Sequence, residues 1–121
     1  MKSYYAKREL ARQYGKICFA GGIITFNRST SYKPTIVTYH HIIPVRDGGK
    51  ISIENGANIS SYMHQNLNIL EQYFPIDGKQ VQEGFIDFKE TREDIVREQI
   101  HEIIKTKTMS INMWTGVIGD F

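Results

Sequence analysis

The chain predicts a small α+β domain in which a strand, a loop, a short return strand and a helix are flanked by further helices. Three observations carry that expectation. TIVTYHHI, residues 35–42, concentrates β-branched and aromatic side chains, the composition of a strand. SYMHQNLNILEQYF, residues 61–74, strings Tyr62, Leu67, Leu70 and Phe74 along one side of a helix. At 121 residues the chain suits one hydrophobic core, so residues 1–121 are read as a single domain.

The elements follow in order. YYAKRELARQY, residues 4–14, is rich in helix formers, with Tyr4, Leu10 and Tyr14 set among charges, and predicts a first helix. Gly21 and Gly22 predict a turn, IITF (23–26) a short strand, and NRSTSYKP (27–34) a polar loop. Pro34 then favours an extended chain before it. After the 35–42 strand, Pro44 and the Gly48–Gly49 pair open a loop to about Asn55, and GANIS (56–60) reads as a return strand. Ser60 or Ser61 caps the 61–74 helix. Pro75, Asp77 and Gly78 then predict a break, and FIDF (85–88) suits either a strand or a turn. Thr91 and Asp94 form a capping-box variant at the head of a last helix, in which Ile95, Val96, Ile100, Ile103 and Ile104 recur on one side. The tail, SINMWTGVIGDF, is expected to pack as a strand or an ordered extension.

Composition narrows the function classes. The 40% hydrophobic and 23% charged shares argue against global disorder. No run nears the length of a membrane helix. The first residues lack the apolar segment of a secretory signal, so a cytoplasmic protein is expected. Cys18, the single cysteine, excludes an internal disulfide or a multi-thiolate zinc site and is read as a small buried hydrophobe. Lys2, Lys7, Arg8, Arg12 and Lys16 outweigh Glu9 at the start, whereas residues 83–102 gather carboxylates. A basic arm beside an acidic helix suits a nucleic-acid binder, and a solvated surface equally well.

The chemistry concentrates in YHHIIPVRDGG, residues 39–49. On a strand His40 and His41 point to opposite faces. His64 and Asn68, four apart on a helix, share one face. One strand imidazole, His64 and Asn68 can therefore converge on a divalent ion, leaving the other histidine as an unligated base to activate water. Taken singly, each residue has a bland reading. A histidine pair is a strand with polar faces, Asn55–Gly56 is a turn, His64 and Asn68 are a helix's wet side, and His101 is a surface or hydrogen-bonded residue. Their joint order gives them weight.

In that order, HHIIP, DGG, Asn55 and His64 resemble the HNH endonucleases of the ββα-metal superfamily, over about residues 36–70. The resemblance implies a ββα-metal core, with 71–121 a C-terminal helical extension. It implies His40, His64 and Asn68 as metal ligands, His41 as general base, and Asn55 as the residue that ties the loop and orients His41. The implied activity is phosphodiester hydrolysis in DNA, of phage or mobile-element type, by the chain alone or as the cutting module of a larger assembly. Arg46, beside the base, is placed to hold a phosphate or to pair with Glu54. Asp47 and Glu54 are read as solvated loop acids. Many family members carry Cys-x-x-Cys pairs for a structural zinc. Here Ser60 and Met63 stand at the positions flanking the helix start, so the tail and last helix are expected to stabilise the site instead. Asn68 is a weaker ligand than histidine, which favours Mg²⁺ or Mn²⁺, with Zn²⁺ or Ni²⁺ as alternatives.

Two other classes compete. One is a nuclease acting on RNA. The other is an HNH-like scaffold that inhibits another nuclease without catalysis, with Glu83, Asp87, Glu90, Glu93, Asp94, Glu98 and Glu102 mimicking DNA.

Overall fold

The structure is a computed structural model that describes residues 1–21 and 37–115, residues 109–115 by their backbone alone. The expected Gly21–Gly22 turn beyond Gly21, the IITF strand, the NRSTSYKP loop, Thr35–Ile36 and residues 116–121 of the tail lie outside the described residues.

The fold is α+β, with four helices and one antiparallel hairpin. Helix α1, Ser3–Tyr14, turns Ala6 and Leu10 inward, one helical turn apart. Strand β1, Val37–His41, pairs with β2, Gly56–Ser60, so that His40 lies opposite Ala57 and His41 opposite Gly56. The loop between them contains a single 3₁₀ turn, Val45–Asp47. Helix α2, Ser61–Tyr73, starts where Ser60 Oγ accepts the Met63 N–H at 3.2 Å, a side-chain cap that satisfies one of the orphan donors of the first turn.

Beyond α2 the structure departs from the expectations. The break at Pro75 is present, since α2 stops at Tyr73 and Phe74 leaves the helical conformation, but the chain re-enters a helix at once: Pro75 is the first residue of α3, Pro75–Thr91, where its missing N–H costs nothing. Asp77 sits in the first turn of that helix, and Gly78 and FIDF lie inside it. Val81, Phe85 and Phe88, spaced four and three apart, are all buried, and that burial outweighs the cost of two interior glycines, about 1 kcal/mol each. Thr91 closes α3 and does not cap the last helix: its Oγ1 accepts the Glu93 N–H at 3.3 Å, and α4 begins at Asp94. Val96, Ile100 and Ile104 face the core from α4, Ile103 is partly buried, and Ile95 is exposed. The backbone of α4 continues through Thr115, so residues 110–115 of the tail are helical and not a strand.

Helix α1 covers one face of the hairpin and α2 the other, with α3 and α4 packed on α2. The segment after α1 runs beside β2, where the Phe19 N–H reaches Asn58 O at 2.8 Å. Phe19 then joins Tyr14 and Phe88 in an aromatic triangle with centroids 5.0–6.1 Å apart. Cys18 is buried and its Sγ accepts the Ser60 N–H at 3.3 Å, a structural role as expected. Arg97 of α4, 5% exposed, donates to Cys18 O at 2.6 Å and to Asp94 at 3.2 Å, so its desolvated charge is partnered. Among the described residues no helix is long and apolar enough to cross a membrane.

Phe88 is 2% exposed and meets two other rings. Phe88→Ala is expected to cost about 3–5 kcal/mol in a urea unfolding curve, since the rings around it can close the space only in part.

Candidate functional site

Strand alternation separates the two histidines. His40 faces α2 and α3, while His41 lies on the other face, edge-on to Tyr39 at 5.0 Å. His40 is 9% exposed and sits between two rings, His64 at 5.2 Å and perpendicular, and Phe85 at 5.3 Å. Burial, reinforced by the nearby His64 and His41, lowers the His40 pKa to about 3. His64 is half-buried, and desolvation with His41 nearby lowers its pKa as well. Both rings are therefore neutral at pH 7.

The hydrogen bonds assign the His64 tautomer. Thr38 Oγ1 lies 3.0 Å from Ile59 O and 2.8 Å from His64 Nδ1. A carbonyl only accepts, so the single hydroxyl proton goes to Ile59 O and the hydroxyl oxygen accepts from Nδ1–H. The Nε2 lone pair of His64 is left available, the arrangement that ligating histidines obtain from an outer partner. Two imidazoles that share an ion through one nitrogen each hold their centroids about 4.5–5.2 Å apart, for bonds of about 2.1 Å and ligand angles from octahedral to tetrahedral. The observed separation of 5.2 Å fits that range. Asn68 is exposed, one turn along α2 from His64. Among the described residues no three His, Cys, Asp or Glu side chains gather closely enough to hold a metal ion.

Asn55 ties the loop. Its Oδ1 accepts the Ile43 N–H at 2.7 Å, and its Nδ2 donates to Ile43 O at 3.0 Å and Lys50 O at 3.1 Å. Its own carbonyl accepts the Ile42 N–H at 2.9 Å. The backbone is thus fixed immediately after His41. The glycine pair serves this closure in two ways. Gly48 adopts φ +89°, the left-handed region, while a side chain on Gly49 would collide with Ile43 O and the Asn55 amide. Tyr39 completes the turn, its hydroxyl donating to Ser52 O at 2.7 Å and accepting from Ser52 N–H at 2.9 Å.

Arg46 is exposed and makes no ion pair with Glu54 among the described residues. It borders a cavity of about 330 Å³ between the loop, α2 and α3, which His40, Glu71, Lys79, Gln82 and Phe85 also line. Burial raises the Glu71 carboxyl pKa, and the Arg46 charge offsets part of that rise. Asp47 and Glu54 are exposed, as expected. His101 is half-buried with Nδ1 3.2 Å from Ala20 O, a hydrogen-bonded residue away from the site.

The chain matches no family model, and no curated protein or solved structure is similar to it. The structure brings His40 and His64 together and places Asn55 on the loop. Three contributors escaped the sequence reading. Thr38 is two residues before His40 and shares its face, so strand alternation carried that signal. Gln82 and Lys89 reach the site from α3, a helix the sequence did not reveal.

Below pH 6.5 the unfolded chain takes up a proton at His40 that the folded chain refuses until about pH 3. Stability contributed by neutral His40 is therefore complete above pH 6.5 and falls by about 1.4 kcal/mol per pH unit below it, with His64 adding in the same sense. Urea midpoints measured in EDTA between pH 7 and 4.5 are expected to show this decline, and His40→Gln to flatten it.

Proposed function

We propose that the chain is a metal-dependent endonuclease of the HNH type that hydrolyses phosphodiester bonds in DNA. The observation that carries this reading is the facing of two neutral imidazoles, His40 from β1 and His64 from α2, 5.2 Å apart and perpendicular. Asn55 clamps the chain beside them, just after a third histidine. A site for catalysis by a bound ion needs ligands in the neutral form, a held geometry and a separate base.

In this reading His40 and His64 hold a divalent ion, with Asn68 as a further ligand. The ion, when bound, offsets charge on the attacked phosphate and on the leaving oxygen. His41 removes a proton from the attacking water. Its ring is partly exposed and has no hydrogen-bond partner among the described residues, so a nitrogen is available for that transfer. Thr38 fixes the tautomer of His64, Asn55 holds the strand end that carries His41, and Arg46 contacts the phosphate from the loop. Lys2, Arg8 and Lys16, exposed on and beside α1, supply sequence-independent contacts that weaken with salt. With two imidazoles and no carboxylate, the donor set favours Mn²⁺ over Mg²⁺ and also accepts Ni²⁺ or Zn²⁺.

One observation favours a second reading, an inhibitor of another nuclease: Glu83, Asp87, Glu90, Glu93, Asp94, Glu98 and Glu102 are all exposed on or between α3 and α4. A biological effect that survives His41→Ala and His64→Ala would select it.

Supercoiled plasmid is expected to be nicked in Mn²⁺ or Mg²⁺ and spared in EDTA. His41→Ala is expected to lower the rate by about 10²–10⁴-fold while the fold persists. Absence of metal-dependent nicking across Mg²⁺, Mn²⁺, Ni²⁺ and Zn²⁺ would remove the nuclease reading. Thr38→Val, which deletes the tautomer-fixing hydroxyl, is expected to weaken ion binding by about 10–100-fold in a calorimetric titration.

A further inference from the structure

Three residues of α3 meet the hairpin loop from one side of the helix, being three and four positions apart. Gln82 Nε2 donates to Ile42 O at 2.8 Å, Phe85 packs on His40, and Lys89 reaches the turn before β2. The Lys89 ammonium lies 2.6 Å from Ile53 O, 2.8 Å from Glu54 O and 2.8 Å from Gly56 O. An ammonium has three N–H donors, and here three carbonyls receive them. Those carbonyls bracket Asn55 on both sides. Among the described residues no carboxylate forms an ion pair with Lys89, so its charge is committed to the backbone of this turn.

We infer that Lys89 is a positioning residue: it fixes the turn that carries Asn55 and, through Asn55's bonds to Ile42 and Ile43, the angle at which His41 leaves β1. The catalytic consequence rests on the nuclease reading; the positional one does not. A methionine at 89 keeps the length of the stem and removes the donors. An arginine keeps both charge and donors in a different fork.

The test compares wild type, Lys89→Met and Lys89→Arg by amide hydrogen exchange and by nicking kinetics. In Lys89→Met the Ile42 and Ile43 amides are expected to exchange about tenfold faster, with the Ile100 and Ile104 amides of α4 unchanged. The nicking kcat is expected to fall by about 10²-fold, with KM unchanged within about twofold. Lys89→Arg is expected to recover part of both. Equal acceleration at all four amides would mean that Lys89 serves overall stability alone, and would overturn the inference. Local acceleration with an unchanged kcat would break the link from the turn to His41. If wild type nicks no DNA in any ion, the nuclease reading falls, and the exchange comparison still decides whether Lys89 holds the turn.

Discussion

Asn55 commits its side-chain oxygen and both amide protons to backbone groups of the segment that follows the histidine pair. Much else in the hairpin loop exists to permit that closure. Gly49 keeps clear the space in which the amide meets Ile43, Gly48 turns the chain through the left-handed region, and Tyr39 pins Ser52 three residues before the clamp. Polar backbone drawn in from water costs free energy unless each group finds a partner. The clamp supplies those partners with a side chain that has no net charge to desolvate. The result is a loop whose direction out of β1 is set within one residue of His41.

Burial decides the electrical state of the other half of the site. His40 lies between His64 and Phe85, where a charged imidazole would lose most of its hydration. The ring therefore stays neutral far into the acid range. His64 keeps partial contact with solvent and is held in a single tautomer by Thr38. His41, on the opposite face of the strand, escapes this packing, yet it remains close enough that a charge on it would lower the proton affinity of both neighbours. Adjacent positions on one strand thus point to opposite faces and give two imidazoles different surroundings.

The parts legible in the sequence are those whose cause is local. The β-branched run produced β1, Ser60 capped α2, and Leu67 and Leu70 of the expected α2 stripe are buried, whereas Tyr62 is exposed and Met63 and Asn66 take the other inward positions. The histidine–glycine–asparagine order led to His40 and His64, whose rings face each other, and to Asn55, which holds the backbone just after the histidine pair. What the sequence hid was α3. Its glycines and the Pro-x-Asp-Gly opening look like a break to any local reading, and only the apolar surface offered by α2 and α4 makes the helix worthwhile. Thr91 was misread for a related reason: a capping pattern was present, but α3 already occupied the residues before it. Lys89 could not have been found this way, since three carbonyls converge on it only after the chain has folded.

The unforeseen helix therefore sets two properties of the site at once. Phe85 and Lys89 are one turn apart, so a rigid element that presses the ring against His40 also delivers the ammonium to the turn around Asn55. Gln82, one turn earlier, holds Ile42 from the same side. Solvent access to His40 and the placement of the loop cannot vary independently while α3 stays packed. A shift of α3 away from the hairpin would hydrate His40, release Ile42 and free the carbonyls beside Asn55 together. The helix thereby couples the protonation of the buried imidazole to the geometry of its partly exposed neighbour, through contacts that lie outside the histidine motif itself.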